Sequence, residues 1–417
     1  MIKILHFSDA HIDMANYGRH DPETGLPLRV IDFLRSLDEI VDAAIEHKVD
    51  LVIFAGDAYK DRNPAPTYQR EWGKRIMRLS HAGIPALLLV GNHDLSPALG
   101  RAHALNEFTT LEVPNVWVID KPCFLGPDDL AGVQVQVIAI PWISRSGMMA
   151  HLDLPGGNAA AVNEKLETKL TELVDYWIAN AQPGLPIVLS AHTSIQGAVY
   201  GGERTVMLGN DLVLSGSLVR NPKLDYVALG HIHKAQNLTK DQKLSPKDPP
   251  PVVYPGSIER VDFGEAGDKK FYVTAEVESG KSRVNWHELK GIRPFVDCSA
   301  TLDSANNIME KIVVALPAEV KIEGAIVRLV VHYPREWEAM IDEAAIREIA
   351  AGAFEFHLIK RPRFESRVRL PEDQLAGSMS ALELLDVYWA ANHVDTKAAQ
   401  DLNEIAAQIM TEDEQRL

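Results

Sequence analysis

The sequence predicts an α/β protein with buried strands, extended by a small α+β unit and a helical tail. Three observations carry that reading. Short apolar, β-branched runs alternate with helical patterns through the first half of the chain. Polar residues able to bind ligands stand directly after five of those runs. After Asn237 the texture changes, as a polar, proline-rich loop gives way to hairpin-like segments.

Residues 2–7 (Ile-Lys-Ile-Leu-His-Phe) read as a short buried strand, and Ser8-Asp9-Ala10-His11 follows at once. Residues 30–47 place Ile31, Leu34, Leu37, Ile40, Val41, Ala44 and Ile45 at helical spacing. Further strands are expected at 51–55, 86–90, 116–119, 133–140, 187–191 and 226–229, with helices at 68–81 and 162–181. Residues 240–251 form the proline-rich loop. Strands at 270–278 and 283–289 are joined by a turn at Ser279-Gly280-Lys281. Gly291-Ile-Arg-Pro294 reads as a boundary, so 1–290 is expected to be one domain. Residues 291–370 read as an α+β domain, with strands at 295–298, 325–333 and 354–359 and helices at 303–315 and 337–351. Residues 371–417 hold two amphipathic helices, the first opening on Ser380-Ala-Leu-Glu383, the pattern of a capping box.

Composition sets the limits. A length of 417 residues suggests two to three domains. A hydrophobic content of 46% beside 24% charged residues fits a globular chain with ample core and argues against wholesale disorder. No run approaches the roughly 18 apolar residues of a membrane span. Two cysteines, Cys123 and Cys298, exclude a disulfide framework or a cysteine zinc site and suit a reducing compartment. A signal peptide would place a basic segment, an apolar stretch and a cleavage site ahead of the fold. Here the fold begins at residue 2, so a cytoplasmic location is expected. The net charge of −16 speaks against general polyanion binding but not against a local basic groove.

The five strand ends deliver Asp9-Ala-His11, Gly56-Asp57, Gly91-Asn92-His93-Asp94, Ala191-His192 and Gly230-His231-Ile-His233. Sites in open α/β sheets form at the carboxyl ends of strands, so these segments are expected to converge. Aspartate, asparagine and histidine without thiolate suit Mn²⁺, Fe²⁺ or Zn²⁺. Asp9, His11, Asp57, Asn92, His192, His231 and His233 are too many for one ion and suggest two that share a bridging carboxylate. Such a pair clamps the attacking and leaving oxygens of an in-line phosphoryl displacement and acidifies a water. His93 is left as a general acid or a stabiliser of the leaving oxygen. Asp94 is expected to orient or charge-couple to His93, or to cap a helix.

These motifs, in this order over residues 9–233, resemble the calcineurin-like metallophosphoesterase superfamily. The resemblance implies a four-layer α/β/β/α sandwich. It also implies that Asp9, His11, Asp57 and His233 hold one metal and Asp57, Asn92, His192 and His231 the other. A narrower likeness covers nearly the whole chain. Leu5-His-Phe-Ser-Asp-Ala-His-Ile12, Ala228-Leu-Gly-His-Ile-His-Lys234 and Val253-Tyr-Pro-Gly-Ser-Ile-Glu-Arg-Val-Asp-Phe-Gly264 are similar to the SbcD nuclease family. That likeness implies Mn²⁺-dependent hydrolysis of DNA phosphodiesters, exonucleolytic on duplex ends and endonucleolytic on single strands or hairpins. It implies a small cap domain that meets DNA, a homodimer, and a helical tail that docks on the coiled-coil ATPase SbcC. One departure is Lys60, which stands where the family often carries an acidic or histidine residue three places after the bridging aspartate. The metal set is untouched; the position bears on the balance of exonuclease and endonuclease behaviour. Other reactions open to the same site are hydrolysis of a small molecule or a phosphoprotein, and a non-catalytic metal-bound scaffold is the alternative to an enzyme.

Several features carry blander readings. His6, His20, His47, His81, His103 and His151 are expected to be structural or surface residues. Ala275-Glu-Val-Glu-Ser-Gly-Lys-Ser282 mimics a phosphate-binding loop but continues a hairpin, and its glutamates would repel phosphate, so ATP binding is not expected. Residues 58–80 carry six cations (Lys60, Arg62, Arg70, Lys74, Arg75, Arg78) against two acids. Lys60, Arg62, Arg70 and Lys74 are the candidate contacts to a DNA backbone, the alternative being a solvated face. A second basic run occupies 356–370. The tail, 371–417, carries ten acids against two bases, a net −8.

Overall fold

The computed structural model describes residues 1–17, 19–95, 101–143, 159–201, 213–363, 380–391 and 394–414. The chain divides into two compact units, 1–297 with 324–326, and 298–323 with 327–417. The division falls later than the expected boundary at 290 and leaves the tail helices in the second unit.

The strands of the first unit are β1 (Ile2–Phe7), β2 (Leu51–Phe54), β3 (Ala86–Leu89), β4 (Val116–Ile119), β5 (Cys123–Leu125), β6 (Gln136–Ile140), β7 (Ile187–His192), β8 (Ser194–Ile195), β9 (Val213–Leu214), β10 (Tyr226–Gly230), β11 (Gln236–Asn237), β12 (Gln242–Lys243), β13 (Val252–Tyr254), β14 (Phe271–Glu278) and β15 (Lys281–Glu288). Seven form one sheet in the order β12-β15-β14-β1-β2-β3-β4, and six form another in the order β11-β13-β10-β7-β6-β5. Pairing is parallel from β1 to β4 and from β6 through β7 and β10 to β13; β14 closes onto β1 antiparallel, with Ile4 opposite Ala275.

Strand alternation sorts the apolar residues into three layers. Leu5, Phe7, Val52, Phe54 and Leu88 face two helices, α1 (Leu28–Glu46) and α2 (Pro66–His81), which bury Phe33, Leu37, Ile40, Trp72 and Ile76 against them. On the opposite face, Ile4, Ile53 and Leu87 meet Val137, Val188 and Ala228 of the second sheet. The far side of that sheet, with Ile138, Leu189 and Val227, is covered by Leu166, Leu170 and Val174 of the helix at Ala159–Ala179. The first unit is therefore helices, sheet, sheet, helix. Polar ties cross between the sheets, among them those of His6. His6 Nε2 donates to the Leu229 carbonyl at 3.2 Å, and His6 Nδ1 accepts from the Tyr226 hydroxyl at 2.9 Å. Burial lowers the pKa of His6 to about 3.

Local chemistry shifts some expected ends. Both helices start two residues early, α1 just after Pro27 and α2 on Pro66, where a missing N–H and a fixed φ cost nothing. The strand expected at 133–140 begins at Gln136, because Val133–Val135 closes a tight turn, Val135 N donating to Val133 O at 2.7 Å. The phosphate-loop mimic at 275–282 lies within the β14–β15 hairpin, with Glu278 opposite Lys281.

A three-stranded sheet has the order β16 (Phe295–Thr301), β17 (Ile326–Pro334), β18 (Glu355–Arg363). The helix expected at 337–351 is instead a 3-10 turn at Arg335–Met340 and a separate helix at Glu343–Ile349. Asp342 breaks it, accepting the Ala345 amide at 3.0 Å as an N-cap. The capping box forms as expected, Ser380 Oγ accepting Glu383 N at 3.3 Å and Glu383 Oε2 accepting Ser380 N at 2.6 Å. The tail helices Ala381–Ala391 and Thr396–Glu414 pair through Trp389 Nε1 donating to Asn403 Oδ1 at 2.9 Å. Residues 364–379, with Arg367 and Arg369 of the second basic run, and His151 lie outside the described residues.

Candidate metal centre

The loops that leave β1, β2, β3, β7 and β10 meet at one end of the two sheets. Asp9, His11, Asp57 and His231 each take positive φ, 52°, 40°, 64° and 99°. Such backbone persists where surrounding structure imposes it, and it gathers at functional sites. Glycine is sterically required at Gly56 and Gly91. A Cβ on Gly56, itself at φ 101°, would sit 2.2 Å from His192 Nδ1, and one on Gly91 would sit 2.1 Å from Asp57 Oδ1.

All seven expected ligand residues come together. Asp9, His11 and His233 place donor atoms within 4.8 Å of one another, and so do Asp9, Asp57 and His192. Asp57 Oδ2 lies 3.5 Å from His192 Nε2 and 3.8 Å from His11 Nε2. Asn92 Oδ1 lies 3.0 Å from both His192 Nε2 and His231 Nδ1. Asp9 is held by Ser8 Oγ at 2.6 Å and by the His231 amide at 3.1 Å.

Three histidines are anchored through Nδ1, which turns Nε2 to the centre. His11 donates to Tyr59 O at 3.2 Å, His192 to Ala55 O at 2.6 Å, and His233 to Glu265 Oε1 at 2.7 Å. In the neutral rings Nε2 then carries only a lone pair. Yet His11 Nε2 and His233 Nε2 face each other at 3.1 Å, and His192 Nε2 faces the oxygens of Asn92 and Asp57. Acceptors turned on acceptors in a buried pocket are met by a cation or by a proton. With no metal bound, a proton takes that place at His192. Burial works against a charged His192, but the Asp57 and Asp9 carboxylates override it and push its pKa up to about 9. Burial raises Asp9. Asp57 is held well below the usual carboxylate range despite its burial, chiefly by His192. The residues present fit hard or borderline divalent ions with mixed oxygen and nitrogen ligands.

His93 sits at the rim, half-buried. Its Nδ1 donates to Lys60 O at 2.7 Å and its amide to Asp57 Oδ1 at 2.9 Å. The expected coupling of Asp94 to His93 is replaced by another task. Asp94 accepts the amides of Gly91 at 2.8 Å and of Asp57 and Ala58 at 2.9 Å, lacing two ligand loops together. Burial and the neighbouring Asp57 raise its pKa to about 7.

The basic run on α2 is matched by Glu71 within it and by two acids of α1 that a linear count omits. Arg70 and Lys74 bond Glu71 at 3.1 and 2.8 Å; Arg75 bonds Glu71 and Asp38; Arg78 reaches Asp38 and Asp42 from α1. Lys60 and Arg62 make no salt bridge among the described residues. Sequence reasoning missed Glu265, which anchors His233 while accepting from the buried Lys270 ammonium at 2.6 Å. Lys270 and His233 outweigh its burial and hold its carboxyl far below the usual range. The signal was near at hand, since Glu265 follows directly on the segment 253–264.

Residues 2–235 match the calcineurin-like phosphoesterase family. The chain belongs to that family. It is a metallophosphoesterase, built to hydrolyse phosphoester bonds. The uncharacterized metallophosphoesterase YhaO of Bacillus subtilis is 26% identical over 274 residues, 65% of this chain and 57% of its own. The SbcD component of the SbcCD nuclease of Escherichia coli K12 is 27% identical over 295 residues, 67% of this chain and 66% of its own. The DNA double-strand break repair protein Mre11 of Archaeoglobus fulgidus is 23% identical over 297 residues, 71% and 59%. The matched region thus spans less than two thirds of the length of these relatives.

Proposed function

We propose that this metallophosphoesterase is a Mn²⁺-dependent DNA nuclease, exonucleolytic at duplex ends and endonucleolytic on single-stranded or hairpin DNA. The observation that carries the reading is the buried pocket of converging acceptors with His93 at its rim, in a chain whose relatives include a protein named as a nuclease subunit and one named for DNA double-strand break repair. Asp9, His11 and His233 would hold one ion and Asn92, His192 and His231 the other, with Asp57 between them. Two such ions, when bound, neutralise the phosphate and acidify a water. The remaining steps belong to the chain. His93, carrying a proton on each ring nitrogen, gives its Nε2 proton to the leaving oxygen and becomes the neutral Nδ1–H ring, held on the Lys60 carbonyl. Asp94 keeps the Gly91 and Asp57 loops in register, a positioning role in place of a catalytic one. Lys60 and Arg62, free of salt bridges among the described residues, are the better candidates for the DNA backbone; Arg70 and Lys74 share Glu71.

In this reading residues 291–370 cap the DNA and the tail docks on an SbcC-like coiled-coil ATPase. The exposed Leu382, Tyr388, Leu402 and Ile405 of the tail hairpin suit such a partner. A homodimer in the cytoplasm belongs to the same reading. No helix among the described residues is long and apolar enough to cross a membrane.

A second reading is a phosphoesterase for a small or phosphoprotein substrate, favoured by the internally paired cations of α2. Purified protein with MnCl₂ is to be given linear duplex DNA, bis-p-nitrophenyl phosphate and phosphopeptides. The nuclease reading expects metal-dependent nucleotide release from DNA. Turnover of phosphopeptides with intact DNA, alone and with an SbcC-type partner, would reject it.

A further inference from the structure

We propose that Asp13 is a positioning residue for His93, acting through the backbone of Lys60; this rests on the reading of His93 as the acid. Five consecutive amides, Asp57 to Asp61, are gathered by two carboxylates. Asp94 takes Asp57 and Ala58 at 2.9 Å and Tyr59 at 3.4 Å. Asp13 takes the next two, Lys60 through Oδ1 and Asp61 through Oδ2 at 2.9 Å. With its N–H groups turned to the carboxylates, the ribbon spends its carbonyls on the site. Asp57 O accepts Ala10 N at 2.8 Å, Tyr59 O accepts His11 Nδ1 at 3.2 Å, and Lys60 O accepts His93 Nδ1 at 2.7 Å.

The four anchored histidines are not held alike. His11, His192 and His233 lean on Tyr59, Ala55 and Glu265, all buried. His93 leans on Lys60, the first residue of an exposed turn running through Asn63. Packing does not hold that turn. The charge-assisted bonds from Asp13 do, from a half-buried position two residues beyond His11. The geometry also gives Lys60 a role independent of its side chain, since its carbonyl is the contact made.

Metal-free full-length protein with ¹⁵N-labelled histidine reports the His93 tautomer by NMR, the signal being identified by its loss in His93→Ala. The wild type should show the Nδ1–H form. Asp13→Ala should move His93 toward the Nε2–H form. With Mn²⁺ and linear duplex DNA, whose alkoxide leaving group needs a proton, kcat should fall about 10- to 100-fold with little change in KM, the scale of a misplaced catalytic group. Both metals should remain bound. Should Asp13→Ala not fold, Asp13→Asn, which retains one acceptor oxygen, should give the same changes more weakly. A wild-type tautomer with wild-type kcat overturns the proposal, and so does loss of metal together with kcat. Full activity in His93→Ala would instead sink the reading of His93 as the acid, while the tautomer still decides whether Asp13 sets the ring.

Discussion

Arg29 and Asp57 are both almost completely buried, at 0% and 2% exposure, in polar clusters of similar size within one compact unit. Around Arg29, opposite charges meet. Its guanidinium bonds Asp32 at 2.9 Å and the Arg260 carbonyl at 2.6 Å, and lies over the Phe33 ring. Arg293 closes the other side of Asp32 and donates its amide to Glu259 at 3.2 Å. Around Asp57, ligand nitrogens and oxygens converge with few donors among them, His11 Nε2 facing His233 Nε2 at 3.1 Å. A buried cluster of opposite charges holds a fold together, even with the Arg29 Nε left without a partner; one with surplus acceptors holds something else. Burial and charge count alone would not tell the two apart.

The same isosteric substitution should therefore have opposite consequences. The largest effect is expected for Asp57→Asn, which keeps shape and tolerance for positive φ but removes the charge between the two donor groups. Hydrolysis of bis-p-nitrophenyl phosphate with Mn²⁺ should drop by about 10³-fold or more, on the order of 4 kcal/mol in the barrier, and calorimetric titration should show Mn²⁺ binding weakened. Unchanged turnover and Mn²⁺ binding would erase the distinction. Asp32→Asn should do the reverse. It leaves two arginines half-compensated in the interior and should cost about 3–5 kcal/mol in urea unfolding, as breaking a buried ion pair does. The folded fraction should keep its metals and its turnover. Glu265→Gln sharpens the comparison, because Glu265 serves both kinds of cluster, pairing Lys270 and anchoring His233. Calorimetric titration with Mn²⁺ should show one of two sites weakened about 10- to 100-fold, the usual scale for losing a histidine's outer partner. Two unchanged sites would remove Glu265 from the metal centre.

Much of the layered fold was legible because the strands are short, apolar and buried on both faces, so their runs stand out without reference to partners. The ligand residues were legible because each follows a strand directly, and strand ends are where loops of an α/β sheet converge. What escaped depends on contacts far along the chain. The pairing of α2 cations with Asp38 and Asp42 of α1 cannot be counted within a segment. Glu265 reaches His233 from 32 positions away. Asp94 stands beside His93 in sequence, yet its carboxylate goes to the backbone of Asp57, 37 positions earlier. The one helix expected at 337–351 failed for a local reason, the side chain of Asp342 offering an amide a better partner than a continued helix.

The place of β1 in its sheet has a consequence for how the protein is made. β1 is synthesised long before one of its two partners, β14, which begins only at Phe271. At about 5–20 residues per second, the strand beneath Asp9 and His11 waits on the order of tens of seconds with one apolar edge unsatisfied. Until then it is an open template for any neighbouring strand. The residues that give the site its rigidity are therefore also those most in need of shelter on the ribosome, and slowing synthesis ahead of the β14–β15 hairpin should cost more soluble protein than slowing it afterwards.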